Sequence, residues 1–230
     1  MKQAIILNKR IFAFESKEEF LTYVSGKTGI LIALNAQKLN KSNSKLEEII
    51  NENIGYPDGV GAVLALKQKG IKSRKIAGAE FWLDIVRKYH EERSFYLLGG
   101  SQEVIEKTVN DLKEQFPAIN IKGYRNGFMG PGEKEKLLDQ FRISQPDIIF
   151  VAMGSPRQEF LMDELLNEYP ALYMGLGGSF DVYSGNKKRA PKLFIKLGLE
   201  WFYRLLQEPS RWRRQLAYFV FFWRMITKQL

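Results

Sequence analysis

No cysteine occurs in the 230 residues, which excludes disulfides and thiolate metal sites. Histidine is almost as scarce. The single one, His90, lies in the charged stretch RKYHEER, where a solvated side chain is a better reading than a catalyst or ligand. Ser–His hydrolysis and histidine-based metal chemistry are therefore set aside. No G-x-x-x-x-G-K-[ST] is present, so a P-loop nucleotidase is not expected. The nearest approach to a dinucleotide fingerprint, GLGGSF at 175–180, lacks its last glycine and has no helical pattern close behind it. Carboxylates do not pair at metal-ligand spacing, Asp181 included, so the sequence demands no divalent cation. A basic-then-apolar leader, low-complexity tracts and repeats at solenoid periods are also missing, and a cytoplasmic protein is the expectation.

What is present reads as one large globular domain with an appendage: 45% of residues are hydrophobic and 27% charged. The net charge of +9 is confined to one place. Residues 187–230 hold eleven Lys or Arg against two acids, Glu200 and Glu208, which leaves residues 1–186 formally neutral. The expected division is an α/β catalytic domain over 1–186 and a basic, aromatic-rich appendage over 187–230. A confined basic region implies an anionic partner, whether phospholipid, nucleic acid or a phosphorylated substrate.

Short apolar runs recur at 29–35, 94–100, 119–124, 147–154 and 171–178, separated mostly by helical patterns such as KLEEIINEN, QEVIEKTVNDLKEQF and RQEFLMDELLNEY. This alternation predicts a Rossmann-like, mostly parallel sheet with helices on both faces. Ser16 and Glu19 supply a capping box for an early helix, and AIILNKRIFAF predicts a small hairpin outside the main sheet.

Ligands of such sheets bind beyond the carboxyl ends of the strands. The residues standing there are Asn35, the Gly99–Gly100–Ser101 turn, Gly154 to Gln158, and Gly177–Gly178–Ser179. The glycine turns are read either as phosphate cradles or as the turns any strand-to-helix link needs. In YPDGVGAV, Asp58 either caps a helix or serves as a general base, with donor phosphates against neighbouring N–H groups such as that of Gly59. In VAMGSPRQEF, Pro156 suits a first helical turn, Arg157 can meet phosphate or solvent, and the Gln158 amide can face sugar hydroxyls.

Together these stretches resemble the WecG/TagA/CpsF glycosyltransferase family. The likeness runs in order through IALNAQKLNKSN, YPDGVGAV, KIAGAEFW, FYLLGGS, VAMGSPRQEF, ALYMGLGGSFDVYSGNKKRAPK and LGLEWFYRLLQEPSRWRRQL, which is most of the chain. It is nearest the branch that transfers N-acetylmannosaminuronic acid in enterobacterial common antigen synthesis, with the teichoic acid N-acetylmannosamine transferases further away. The resemblance implies an inverting enzyme, peripheral on the inner face of the cell membrane, that moves a sugar from a UDP donor to an undecaprenyl-diphosphate-linked saccharide. A glucose-type UDP-hexose transferase of the same family, acting in exopolysaccharide synthesis, is the alternative. The resemblance puts Asp58 in the role of base, with Asn35 and Gln158 as pocket residues. Two positions depart from relatives: Ala33 stands where teichoic acid members carry threonine, and Lys75, preceded by Arg74, stands where many relatives carry arginine. No cofactor is expected. The charge on the departing UDP falls to N–H dipoles at Gly99 and Gly100 and to Arg74 or Lys75.

The stretch PSRWRRQLAYFVFFWRM at 209–225 packs basic and aromatic residues together. On a helix, Trp212, Leu216, Phe219, Val220, Phe222, Trp223 and Ile226 share one half of the surface. Arg213, Arg214, Arg224 and Lys228 occupy the other, interrupted by Tyr218, Phe221 and Met225, with Arg211 at the border. The uncharged run is far shorter than the ~20 residues a bilayer span needs, so the helix is read as interfacial on an anionic membrane. Arg211, Arg213 or Arg214 can also meet the acceptor diphosphate. Packing on the body or on a second copy is a further reading, and the apolar surface suits a homo-oligomer. Binding of nucleic acid by the same cations and rings is a reading of another class, to which the neutral body adds nothing.

Overall fold

The structure, a computed structural model, describes residues 1–188, 190, 191, 194, 200–207 and 212–230. It opens on the expected hairpin: β1 (Lys2–Ile6) pairs antiparallel with β2 (Lys9–Ala13) as a separate two-stranded sheet. Leu7 and Asn8 between them have φ of 47° and 63°, the sign that both central residues of a two-residue hairpin turn require. At α1 (Lys17–Val24) the serine half of the capping box forms, Ser16 Oγ accepting from Glu19 N at 3.0 Å, whereas the Glu19 carboxylate reaches one residue further back and accepts from Glu15 N at 2.6 Å.

The main sheet has six strands: β3 (Gly29–Leu34), β4 (Ile54–Pro57), β5 (Ser94–Gly99), β6 (Asn120–Arg125), β7 (Ile148–Ala152) and β8 (Leu172–Gly175). Their order is β4-β3-β8-β7-β5-β6, and the pairs β3–β8, β8–β7, β7–β5 and β5–β6 are all parallel. The α/β class with a mostly parallel sheet is therefore as expected. The helices around it are α2 (Ala36–Asn40), α3 (Ser44–Glu52), α4 (Val60–Gln68), α5 (Gly78–Tyr89), α6 (Gln102–Gln115), α7 (Glu133–Ser144), α8 (Arg157–Glu168) and α9 (Ser179–Tyr183). Two more, α10 (Glu200–Gln207) and α11 (Trp212–Ile226), lie in the C-terminal segment. The helix α9 corrects the expectation that none follows GLGGSF closely; at five residues it is too short to show a period.

The chain folds as two compact units. One comprises Met1–Glu19, Ala33–Ala77 and Lys188–Leu230, the other Phe20–Ile32 and Gly78–Lys187. The unit boundary in this region falls between Lys187 and Lys188, and the basic segment that follows shares its unit with the hairpin and with α2 to α4.

In the first unit, β4 passes so close to its neighbours at Gly55 that a Cβ there would meet Arg10 O and the Leu34 side chain at 2.6 Å. Lys9, almost wholly buried, is held by Glu47 at 3.1 Å and by Leu7 O, which satisfies a charge that burial would otherwise penalise. In the second unit, β5, β7 and β8 are buried along their whole length, as parallel strands covered on both sides must be. Their continuous apolar runs pack with Trp82, which meets Phe150, Phe180 and Tyr183 edge-on at 5.2–5.7 Å.

Candidate functional site

Asn35, Asp58 and the three glycine turns singled out for chemistry each follow the carboxyl end of a strand. In the first unit, Asn35 directly follows β3 and caps α2, its Oδ1 accepting from Lys38 N at 2.9 Å in an extended conformation. That commitment leaves the Asn35 NH2 as the group free to donate elsewhere. Asp58 directly follows β4, and its N–H donates to Leu34 O at 3.0 Å, so the ends of β3 and β4 are tied together. The N-cap of α4 is Gly59, not Asp58, which corrects the helix-cap reading of that carboxylate. A Cβ on Gly59 would stand 3.4 Å from Asn35 Cβ, so the Asp58–Gly59 turn abuts Asn35. Asp58 itself is half-buried.

The strap after α4 approaches the same place. Arg74 N donates to Phe14 O at 2.7 Å and Ile76 N to Pro57 O at 2.8 Å, which fixes residues 74–76 alongside the residue before Asp58. Arg74 is exposed and Lys75 half-buried. The structure thus brings together Asn35, Asp58, Gly59 and the Lys75 backbone, four of the sequence-predicted positions, within one unit.

The C-terminal helix docks on the helices that grow from this turn pair. Phe221 is fully buried, and at Gly61 of α4 a Cβ would lie 3.1 Å from Ala36 Cβ of α2 and 3.3 Å from the Phe221 ring. Three helices therefore meet where glycine leaves room. Arg224 Nη1 donates to Asn40 Oδ1 at 2.8 Å, and Gln68 Nε2 to Met225 O at 2.9 Å. Arg224, expected from the sequence at a membrane or acceptor face, thus spends one guanidinium N–H on the body. Leu216, Phe219, Val220, Trp223 and Ile226 are exposed instead. Arg211 lies outside the described residues, as do the side chains of Trp212, Arg213 and Arg214.

The second unit carries the glycine turns. Gly99 has φ of 138°, and a Cβ there would run into the Ala152 carbonyl, so β5 and β7 end in backbone-to-backbone contact. Gly100 N donates to Ala152 O at 3.2 Å, and Ser101 caps α6 by accepting from Val104 N at 3.3 Å. Gly177 N donates to Gln158 Oε1 at 2.9 Å, and Gly178 is the N-cap of α9. The phosphate-cradle reading is thereby corrected for two N–H groups, since those of Gly100 and Gly177 are already taken. Gln158 is likewise buried, with both ends of its amide bonded inside the protein, which is not the posture of a side chain facing a sugar.

From the sequence, Arg125 at the end of β6 counts with Arg74, Lys75 and Arg157 as a candidate cation for a donor carboxylate, but the loop that follows it is not singled out. Gly127 N donates to Gly100 O at 2.9 Å, Asn126 Nδ2 to Gln102 Oε1 at 2.8 Å, and Arg125 pairs with Glu133 at 2.8 Å, so this loop is latched beside the Gly99–Ser101 turn. The Asn126–Gly127 dipeptide, a turn signal in its own right, was the clue available. Arg125 is accordingly occupied, whereas Arg157, at the first position of α8, is exposed. No group of three or more His, Asp or Glu is placed to hold a metal ion among the described residues.

The sequence model of the WecG/TagA/CpsF glycosyl transferase family matches residues 6–230. The chain belongs to this family. It is therefore an enzyme that transfers a sugar between a donor and an acceptor. For this transferase the ordered motifs, the parallel sheet and the residues at its strand ends carry one account, from Asn35 at β3 to the docked C-terminal helix. Among the described residues no helix is long and apolar enough to cross a membrane.

Proposed function

We propose that this transferase moves N-acetylmannosaminuronic acid, or a related N-acetylhexosamine, from UDP to a hydroxyl of an undecaprenyl-diphosphate-linked saccharide, with inversion. One observation carries the reading: Asp58 stands half-exposed immediately beyond β4, on a turn tied to the end of β3 and abutting Asn35. A sugar hydroxyl is a poor nucleophile. The Asp58 carboxylate takes its proton as the new C–O bond forms at the anomeric carbon, while the bond to UDP breaks and the electron pair leaves with the diphosphate. The Asn35 NH2, its partner oxygen spent on the cap, donates to a substrate oxygen. Lys75 and Arg74 supply positive charge for the leaving group, and no metal is needed in this scheme. Because lysine offers a point charge and not a planar fork, the contact at position 75 is expected to be monodentate.

The exposed apolar stripe of α11 supports a peripheral place on the anionic inner face of the cell membrane, where a lipid-linked acceptor resides. The test is a panel of UDP-sugars offered with a synthetic polyprenyl-diphosphate-linked N-acetylglucosamine, scored for transfer by mass, on wild type and Asp58→Asn. The substitution is expected to keep the circular dichroism spectrum and lower turnover by about 10²–10⁴. Undiminished transfer by a folded Asp58→Asn would remove that carboxylate from the mechanism.

A further inference from the structure

Gln158 is only 3% exposed, although it stands in the first turn of α8, just past a strand-to-helix turn where a substrate-facing amide was expected. Its single Oε1 accepts from two backbone groups of different turns: Gly154 N at 3.1 Å, after β7, and Gly177 N at 2.9 Å, after β8. Nε2 donates to Glu159 Oε1 at 3.2 Å, which fixes which end of the amide is the acceptor. Gly154 and Gly177 adopt φ of 78° and 61°, and the space where a Cβ would stand is open at both, so neither turn is braced by a side chain of its own. Room for the amide comes from β8. A Cβ at Gly175 would collide with Gln158 Nε2 and stand 3.0 Å from Met162 Cε.

We infer that Gln158 is a positioning residue: through one oxygen it locks the turns after β7 and β8 to each other, and it acts on the donor only through them. The inference rests on the proposed UDP-sugar donor in one respect: ligands of parallel sheets lie beyond the carboxyl ends of the strands, where these two turns stand. Its geometric half, the lock itself, stands without ligand. An amide that held the sugar directly would leave the affinity for plain UDP untouched, whereas a lock on the turns sets that affinity.

Three variants test it, each read by backbone amide exchange at Gly154 and Gly177 without ligand and by titration with UDP. Gln158→Leu removes the acceptor and should speed exchange at both amides and weaken UDP binding, each by about tenfold or more. Gly175→Ala displaces the amide without altering its chemistry and should move both readouts the same way, which also covers the case in which Gln158→Leu fails to fold. Gln158→Glu combined with Glu159→Gln keeps an acceptor oxygen for both N–H groups and an amide donor beside it, so protection should persist and UDP affinity stay within about threefold. Unchanged UDP affinity in Gln158→Leu and Gly175→Ala beside a collapse of sugar transfer would overturn the inference and make the amide a sugar contact. Unchanged exchange at both glycines would dispose of the lock. A wild-type chain that binds no UDP would sink the proposed donor while the exchange data still judged the lock.

Discussion

Asn35 illustrates how one small side chain divides its duties. Its oxygen caps α2 through Lys38 N, and its NH2 is the part assigned to substrate. The two can be separated by mutation, because aspartate caps a helix as well as asparagine does but has no NH2. Asn35→Asp is expected to leave stability within about 0.5 kcal/mol of wild type, whereas Asn35→Ala loses the cap and about 1 kcal/mol. Transfer should fall in both. Chemical denaturation beside a turnover assay checks this, and an Asn35→Asp enzyme with full activity would return the residue to a purely structural role.

At the scale of elements, burial and ionisation meet where β5 and β7 begin. Burial alone would raise the Asp147 carboxyl, but the Ser94 hydroxyl at 2.6 Å and the Ser94 N–H at 2.8 Å donate to it. With the charges of Arg93 and Lys122 they hold it below its ordinary value of 3.8. A depressed folded-state value contributes stability that is complete above 3.8 and lost as the pH falls through the folded value. Ser94→Ala removes the hydroxyl donor, so its deficit against wild type should be largest near neutrality and shrink between about pH 5 and pH 2. Part of the deficit will persist at all pH values, because Ser94 Oγ also bonds Gln145 O and Asp147 N. Urea midpoints of both proteins across that range provide the measurement.

The same scale explains what could be read in advance. The strands β3, β5, β7 and β8 and the helices α6 and α8 announce themselves by long apolar runs or clear periods. By contrast, β4 is four residues, IGYP, with a glycine demanded by the crossing of Arg10 and a proline at its end, so its local composition argues against a strand. The helix α2, five residues long, shows no period and is recognisable only through the cap at Asn35. For the site, Gln158 was legible as a polar residue after a strand and Asp58 as a carboxylate in a turn before a helix. Their environments were not. That Asp58 N reaches Leu34 O, or that two distant glycines converge on one Gln158 oxygen, depends on pairings between segments far apart in sequence, which no local pattern encodes.

For the whole molecule, the net charge of +9 sits in the last 44 residues and an apolar stripe faces outward on α11. Deleting this helix is a poor test of membrane docking, since it would also strip Phe221 from Gly61 and Arg224 from Asn40, exposing α2 and α4 beside Asp58. Substitution of the outer face alone is cleaner. Phe219 and Trp223 are each 66% exposed, so Phe219→Glu/Trp223→Glu should retain fold and UDP affinity. It should nevertheless lose most co-sedimentation with phosphatidylglycerol vesicles, because it removes aromatic area from the interface and adds two charges that the anionic surface repels. Each basic residue near such a surface contributes about 1 kcal/mol, within a screening length of about 8 Å at physiological salt. Wild-type binding should therefore weaken steeply as salt rises towards about 1 M. If a second copy of the chain covers the stripe instead, wild type will ignore vesicles, and the double substitution will shift its sedimentation coefficient towards that of a monomer.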